Sequence, residues 1–282
     1  MRLSLTAIVL CSCVAMAQDG IRRYRFSDLE LIAIHDTDRA MPVSIFLQDP
    51  AALKAAGVHS DQHIASSINV FALRFADRVV LVDSGNGVGK GTLLDKLAQL
   101  NIKPADVTDV LLTHIHPDHI GGLVSGDVAI FANAAIHVAK AEADYWHQQA
   151  YPAGALNPRF FAAYAGKIAT FAPGAQFWGK IRAQDAAGHT PGHTSFRMGR
   201  LWFIGDTVHG AALQFPTPAL CARYDMDRDK AIAVRRTIMA EAARDDALII
   251  GAHLPFPGIG SVRVGQHAAV AFQYLPYAGE EP

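Results

Sequence analysis

Short apolar runs separated by polar turns set the pattern of this chain, with longer amphipathic stretches between them. Apolar runs at 29–34 and 43–47 punctuate a less regular stretch from 18 to about 65, with a helix expected near 50–56. Residues 68–83 read as a β-hairpin, because two apolar runs flank a turn at Ala76-Asp77-Arg78. A glycine-rich loop at 85–91 leads into an amphipathic helix near 92–100. A short buried strand is expected at 110–113, another at 136–139 that runs into a helix over 140–148, and a further helix over 157–165. A second hairpin pairs 195–198 with 201–204 across Gly199-Arg200. A long helix follows at 227–243, and a last strand at 247–250 ends in Gly251-Ala252-His253. Each half therefore carries strands, a hairpin and a flanking helix. That pattern suits two sheets packed face to face with helices outside, an α/β protein of four-layer αββα type.

No repeat or long linker interrupts the sequence, so residues 18–282 are expected to form one domain. The first 17 residues read differently: Met1-Arg2 gives a positive start, 3–14 an apolar run, and Ala15-Met16-Ala17 a small-x-small cleavage site. That is a secretory signal, too short for the roughly 20 residues a membrane span needs. Lipid attachment at Cys13 after Leu10-Cys11-Ser12 is a poor match. The expected location is secreted or periplasmic. With the signal removed only Cys221 remains, so no internal disulfide is expected. Composition is 51% hydrophobic and 18% charged, which permits a large core, and the net charge of -1 gives no basic stripe for nucleic acid or an anionic membrane.

The chemistry is concentrated in Thr113-His114-Ile115-His116-Pro117-Asp118-His119. At a strand end, positions two apart point to one side, so His114 and His116 can share a metal. Pro117 suits a helix start, and that turn swings Asp118 and His119 toward a neighbouring site. Imidazole and carboxylate together suit Zn²⁺ or Mn²⁺. Three further groups follow buried strands or tight turns: His193 in Gly188-His189-Thr190-Pro191-Gly192-His193-Thr194, Asp206 after 201–204, and His253 after 248–250. His189 reads either as a residue that orients a ligand from behind or as a turn residue. The Gly89-Lys90 pair invites a phosphate-loop reading, which fails because Ser84 and Gly91 stand where Gly and Ser/Thr are required. Asp83-Ser84-Gly85 is better read as a strand-end motif with Asp83 supporting the metal histidines.

These residues resemble the metallo-β-lactamase superfamily across nearly all of the mature chain. The resemblance assigns His114, His116 and His193 to one metal, and Asp118, His119 and His253 to the other. Asp206 bridges both. Two Zn²⁺ per chain are implied, with Mn²⁺, Fe²⁺ or Co²⁺ as substitutes. Zinc β-lactamases usually carry Cys or Ser where Asp206 stands, which disfavours antibiotic cleavage.

Within the superfamily the chain is similar to the methyl parathion hydrolase group and its lactone- and aryl-ester-cleaving relatives. The matching stretches are Glu142-Ala143-Asp144-Tyr145-Trp146, Gly205-Asp206-Thr207-Val208-His209 with Gln214-Phe215, and the run from His253 through Pro255-Phe256-Pro257 to Gly260. The similarity implies an apolar substrate pocket lined by Trp146, with His209 and Tyr224 near its mouth. His209 lies where many acyl-homoserine lactonases place a tyrosine, and its imidazole is expected to donate a hydrogen bond to an ester or lactone oxygen.

The expected activity is cleavage of lactones or aryl esters, with phosphotriesters such as methyl parathion as side substrates. A hydroxide held between the metals is the expected nucleophile, and Asp118 and Asp206 are the carboxylates expected to hold or relay its proton. A hydroxyacylglutathione-type thioester hydrolase and a non-catalytic metal-binding protein are the alternatives. Relatives often pair, so a homodimer is compatible.

Overall fold

The computed structural model describes residues 20–26, 28–46, 53, 59, 61–265 and 271–277. The expected signal segment at 1–17 lies outside the described residues, as does nearly all of the helix expected at 50–56.

The described residues open with Ile21–Phe26 (β1) and the long strand Leu29–Pro42 (β2), then His63–Arg74 (β3), Val79–Val82 (β4) and the helix Leu93–Gln99 (α1). Val107–Leu111 (β5) leads to a single helical turn, Pro117–Ile120 (α2), and a small ribbon of Val124–Ser125 (β6) and Val128–Ala129 (β7). Ala135–Ala139 (β8), helices Lys140–His147 (α3) and Leu156–Ala163 (α4), and Ile168–Phe171 (β9) finish the first half. The second half holds Gln176–Phe177 (β10), Ile181–Asp185 (β11), Thr194–Met198 (β12), Leu201–Gly205 (β13), Ala211–Gln214 (α5) and Arg228–Arg244 (α6). It closes with Leu248–Gly251 (β14), Ile259–Val264 (β15) and Phe272–Pro276 (β16).

Among the described residues two seven-stranded sheets result, one ordered β1-β2-β3-β4-β5-β8-β9 and the other β10 to β16 in sequence order. The period-2 alternation of side chains divides each strand between two cores. Leu31, Ala33, Phe71 and Leu73 face the second sheet and meet Phe196, Phe203 and Ile250. Their neighbours Ile32, Ile34, Val70 and Ala72 face outward onto α1 and α4, against Leu93, Leu97 and Phe160. On the far side, Trp202, Ile204 and Ile249 pack under Ile238 and Met239 of α6. The layers are helix, sheet, sheet, helix, as the pattern of hairpins and helices predicts.

Both expected hairpins form, β3/β4 and β12/β13. Within 18–65, the described residues are more regular than their sequence pattern implies. β2 runs through Asp36, Asp38 and Arg39 by way of a register shift between His35 and Thr37. The expected run at 43–47 forms a 3-10 turn, Val43–Phe46. Strands β4/β5 and β13/β14 pair in parallel, so their C-terminal ends share an edge in each sheet. Among the described residues, no helix is long and apolar enough to cross a membrane, and Cys221 is buried and forms no disulfide.

Candidate metal centre

The chemistry-bearing side chains gather beyond the ends of those parallel strands. His114 and His116 follow β5, Asp118 and His119 ride on α2, Asp206 follows β13, and His253 follows β14. A rigid sheet edge is thus what aims each of them. His114, His116, His189 and Asp206 offer ligand atoms that all lie within 4.8 Å of one another, and so do those of Asp118, His119 and His253. The two groups adjoin: Asp206 Oδ1 is 3.0 Å from His119 Nε2, and Asp206 Oδ2 is 3.1 Å from His253 Nε2 and 3.4 Å from His189 Nε2.

His193 does not join them, which corrects the assignment made from its motif. Its Nδ1 donates to the Ala186 carbonyl at 3.0 Å, and its Nε2 accepts the backbone N–H of Asp206 at 3.0 Å. Both nitrogens are consumed by backbone groups. Gly205, at φ +49°, is needed beside it, because an added Cβ would sit 2.5 Å from His193 Nε2. The ring that faces the cluster belongs to His189, with Nε2 3.0 Å from His116 Nδ1.

Partners behind the rings decide which nitrogen faces inward. Thr113 Oγ1 donates its only proton to Asp83 Oδ2 at 2.8 Å, so it accepts from His114 Nδ1 at 3.1 Å. His119 Nδ1 donates to Asp83 Oδ2 at 2.8 Å, His253 Nδ1 to the Ser67 carbonyl at 3.0 Å, and His189 Nδ1 to Asp225 Oδ1 at 2.9 Å. Each of these four rings therefore turns Nε2 toward the cluster. Asp83 holds this post in the left-handed region, φ 59°, a conformation that costs a non-glycine residue on the order of 1 kcal/mol or more. The supporting role expected of Asp83 is what its contacts show.

Glu142 of α3 ties the two histidine turns together. Its Oε1 accepts from the Ile115 backbone at 2.9 Å and from the Trp146 indole at 2.6 Å. Its Oε2 accepts from Thr190 Oγ1 at 2.7 Å and from the Gly192 backbone at 2.9 Å. A Cβ on Gly192 would collide with the Glu142 backbone. Burial pushes the Glu142 carboxyl above its ordinary range, against the pull of those four donors.

The electrostatics call for a cation. Burial drops His114 well below the usual imidazole range and takes His116 and His189 to about 4. All three are neutral at pH 7, the form a metal binds. Burial opposes charge on His119 and His253 as well, but Asp206 outweighs it and raises both. Asp206 itself stays well below the carboxylate range: burial opposes its charge, and His119 and His253 overcome that. The Asp206 carboxylate thus draws positive charge into the cluster, the charge that divalent ions would supply. His119 Nε2 and Asp206 Oδ1 face each other at 3.0 Å without forming a hydrogen bond, and both are buried with no other such partner among the described residues, a cost that coordination removes. The donor set fits two ions, one on His114, His116 and His189, the other on Asp118, His119 and His253, with Asp206 reaching both.

A cavity of about 330 Å³ opens over the cluster, lined by Arg39, Asn86, Asp118, His209 and Tyr224 among others. Tyr224 is 41% exposed at its mouth, whereas His209 is 2% exposed and sits deep, a correction to its expected place near the mouth. The Gln214 side chain fixes His209 by accepting its backbone N–H at 2.7 Å. Trp146 does not line this cavity, contrary to expectation. Its ring stands edge-on to His116 at 5.3 Å and packs against the helix-side core.

Comparison with known proteins agrees with this geometry. The family model described as metallo-beta-lactamase superfamily matches residues 64–253. The metallo-beta-lactamase domain-containing protein 1 of Homo sapiens is 31% identical over 219 residues, spanning 77% of this chain and 71% of that protein. AidC, a dizinc quorum-quenching lactonase, superposes with a TM-score of 0.83 at 25% identity, covering 93% of this chain and 99% of that one. AbOPH, a hydrolase in the beta lactamase superfamily, gives 0.81 at 30% identity with the same coverages. The matched span runs from β3 to the last histidine of the cluster, and the chain belongs to the metallo-beta-lactamase superfamily.

Proposed function

We propose that this chain is an exported dinuclear metal-dependent hydrolase that opens lactones or cleaves aryl esters, with phosphotriester cleavage as a side activity. His209 carries the reading. Its ring is buried, neither ring nitrogen has a hydrogen-bond partner among the described residues, and Nε2 stands 3.3 Å from Asp206 Oδ2 on the cavity wall. Leaving such a group unpaired costs on the order of 1–3 kcal/mol, which a substrate carbonyl or ring oxygen recovers. The likeness to AidC, named as a dizinc lactonase, supports the lactone half of the proposal.

Two divalent ions, zinc by the donor set, would be held by the imidazoles and carboxylates described above. When bound, they lower the pKa of water toward neutrality and polarise a carbonyl or phosphoryl oxygen. The chain's own groups do the rest. Arg39 holds Asp118 Oδ2 at 2.6 Å, which leaves Oδ1 to take the proton of the attacking water and return it to the leaving oxygen. A ring N–H of His209 donates to the substrate oxygen as charge develops on it. The cavity volume suits a small molecule, and the near-neutral chain favours an uncharged one over nucleic acid.

The test is a substrate panel on purified chain, stripped by chelator and reloaded with zinc or manganese. Turnover of an acyl-homoserine lactone or a p-nitrophenyl ester, lost on stripping and restored on reloading, is the expected result. A preference for a glutathione thioester, or no rate above that of free zinc on any substrate, would overturn the proposal.

A further inference from the structure

Behind the cluster runs a buried chain of polar groups that no motif announces. His189 Nδ1 donates to Asp225 Oδ1 at 2.9 Å, and Asp225 Oδ2 meets Arg235 Nη2 at 3.1 Å. The Ala222 backbone N–H donates to the same carboxylate at 3.2 Å. Arg235, from α6, is 0% exposed. Its Nε donates to the Thr207 carbonyl at 2.7 Å, and its Nη1 to those of Pro218 and Leu220 at 2.9 and 3.0 Å. Thr207 follows Asp206 directly. One guanidinium therefore grips both the turn that presents Asp206 and the carboxylate behind His189.

Such an ion pair is a poor stability device. Desolvating two charges cancels most of their attraction, and apolar replacements of similar volume are often neutral or better. What the pair does that apolar groups cannot is fix a proton. An ionised carboxylate only accepts, so His189 must carry its hydrogen on Nδ1 and present a lone pair at Nε2.

We infer that Asp225 and Arg235 are positioning residues for the metal centre: Asp225 locks the tautomer and orientation of His189, and Arg235 holds Asp225 and, through Thr207, the seat of Asp206. Loss of the Asp225 carboxylate alone therefore weakens the ion held by His114, His116 and His189 and leaves the ion held by Asp118, His119 and His253 in place, because Arg235 still holds the Thr207 carbonyl and with it the seat of Asp206. This rests on the proposed metal centre.

Two measurements test it. In the unmetallated wild-type chain, long-range ¹H–¹⁵N correlation spectra should show His189 as the Nδ1–H tautomer; an Nε2–H tautomer overturns the inference. In competition with a chromogenic zinc chelator, wild type should give two dissociation constants. In Asp225→Asn one should rise about 10- to 100-fold while the other stays within about twofold. A wild-type chain that takes up no zinc ends the metal reading itself. A wild-type chain with two zinc ions, beside a variant that binds both normally or weakens both alike, overturns this inference alone.

Discussion

Arg39 Nη1 lies 2.6 Å from Asp118 Oδ2, a contact that joins β2 to the helical turn carrying Asp118 and His119. The Arg39 side chain is 35% exposed, so the pair adds at most about 1 kcal/mol to stability. Its consequence is directional, because one carboxylate oxygen is held and the other is left for chemistry. Arg39→Met should therefore keep the fold and the metal content while lowering kcat about tenfold, equivalent to about 1.4 kcal/mol in the barrier. Steady-state kinetics beside metal analysis checks this, and an unchanged kcat would remove Arg39 from the reaction.

That contact spans 79 residues of sequence, which is why no motif shows it. His114, His116, Asp118 and His119 are legible because strand-end and helix-start geometry acts within six residues. The four layers are legible because strands buried on both faces read as short continuous apolar runs, set between amphipathic helices. β2 was harder to see, since its bulge at His35–Thr37 breaks the alternation and the polar run beyond it reads as loop. The groups that seat the cluster, namely Arg39, Glu142 and the Asp225–Arg235 pair, come from three distant segments, and each alone resembles an ordinary surface charge. Only folding brings them behind the histidines.

The pair His189 and His193 shows the same limit within a single turn. Gly-His-Thr-Pro-Gly-His places two imidazoles four residues apart, and spacing does not say which one faces the cluster. The structure separates them by their partners. His189→Ala should lose one of two metals and essentially all activity. His193→Ala should retain both metals, yet lose about 1–3 kcal/mol of stability from the orphaned Ala186 carbonyl and Asp206 N–H. Metal content and urea denaturation of the two variants decide it; the reverse pattern would restore His193 as a ligand.

Glu142 offers a test of how the two histidine turns are joined. Its four donors come from Ile115, Trp146, Thr190 and Gly192. Glu142→Gln keeps the shape but turns one oxygen into an NH₂ group that faces two donors. Orphaning both should cost roughly 2–5 kcal/mol and reduce activity, since His114, His116 and His189 hang from the segments that Glu142 connects. Chemical denaturation at neutral pH measures the loss. A cost below about 1 kcal/mol would mean that the turns hold their places without it.

His209→Leu separates the substrate classes. Leucine fills similar space without a ring N–H, and it removes two buried nitrogens that have no partner among the described residues, so the metal-free variant should gain about 1 kcal/mol of stability. Lactone hydrolysis, which in the proposed reaction draws on that N–H as charge grows on the substrate oxygen, should fall on the order of 10²-fold in kcat. Phosphotriester hydrolysis spreads its charge over more oxygens and gains from an apolar wall, so it should fall far less or rise. The ratio of the two kcat/KM values, measured on one zinc-loaded preparation of each protein, should therefore move at least about tenfold toward the phosphotriester. An unmoved ratio would show that His209 neither touches the substrate nor sets the preference, and the case for a lactone would have to rest elsewhere.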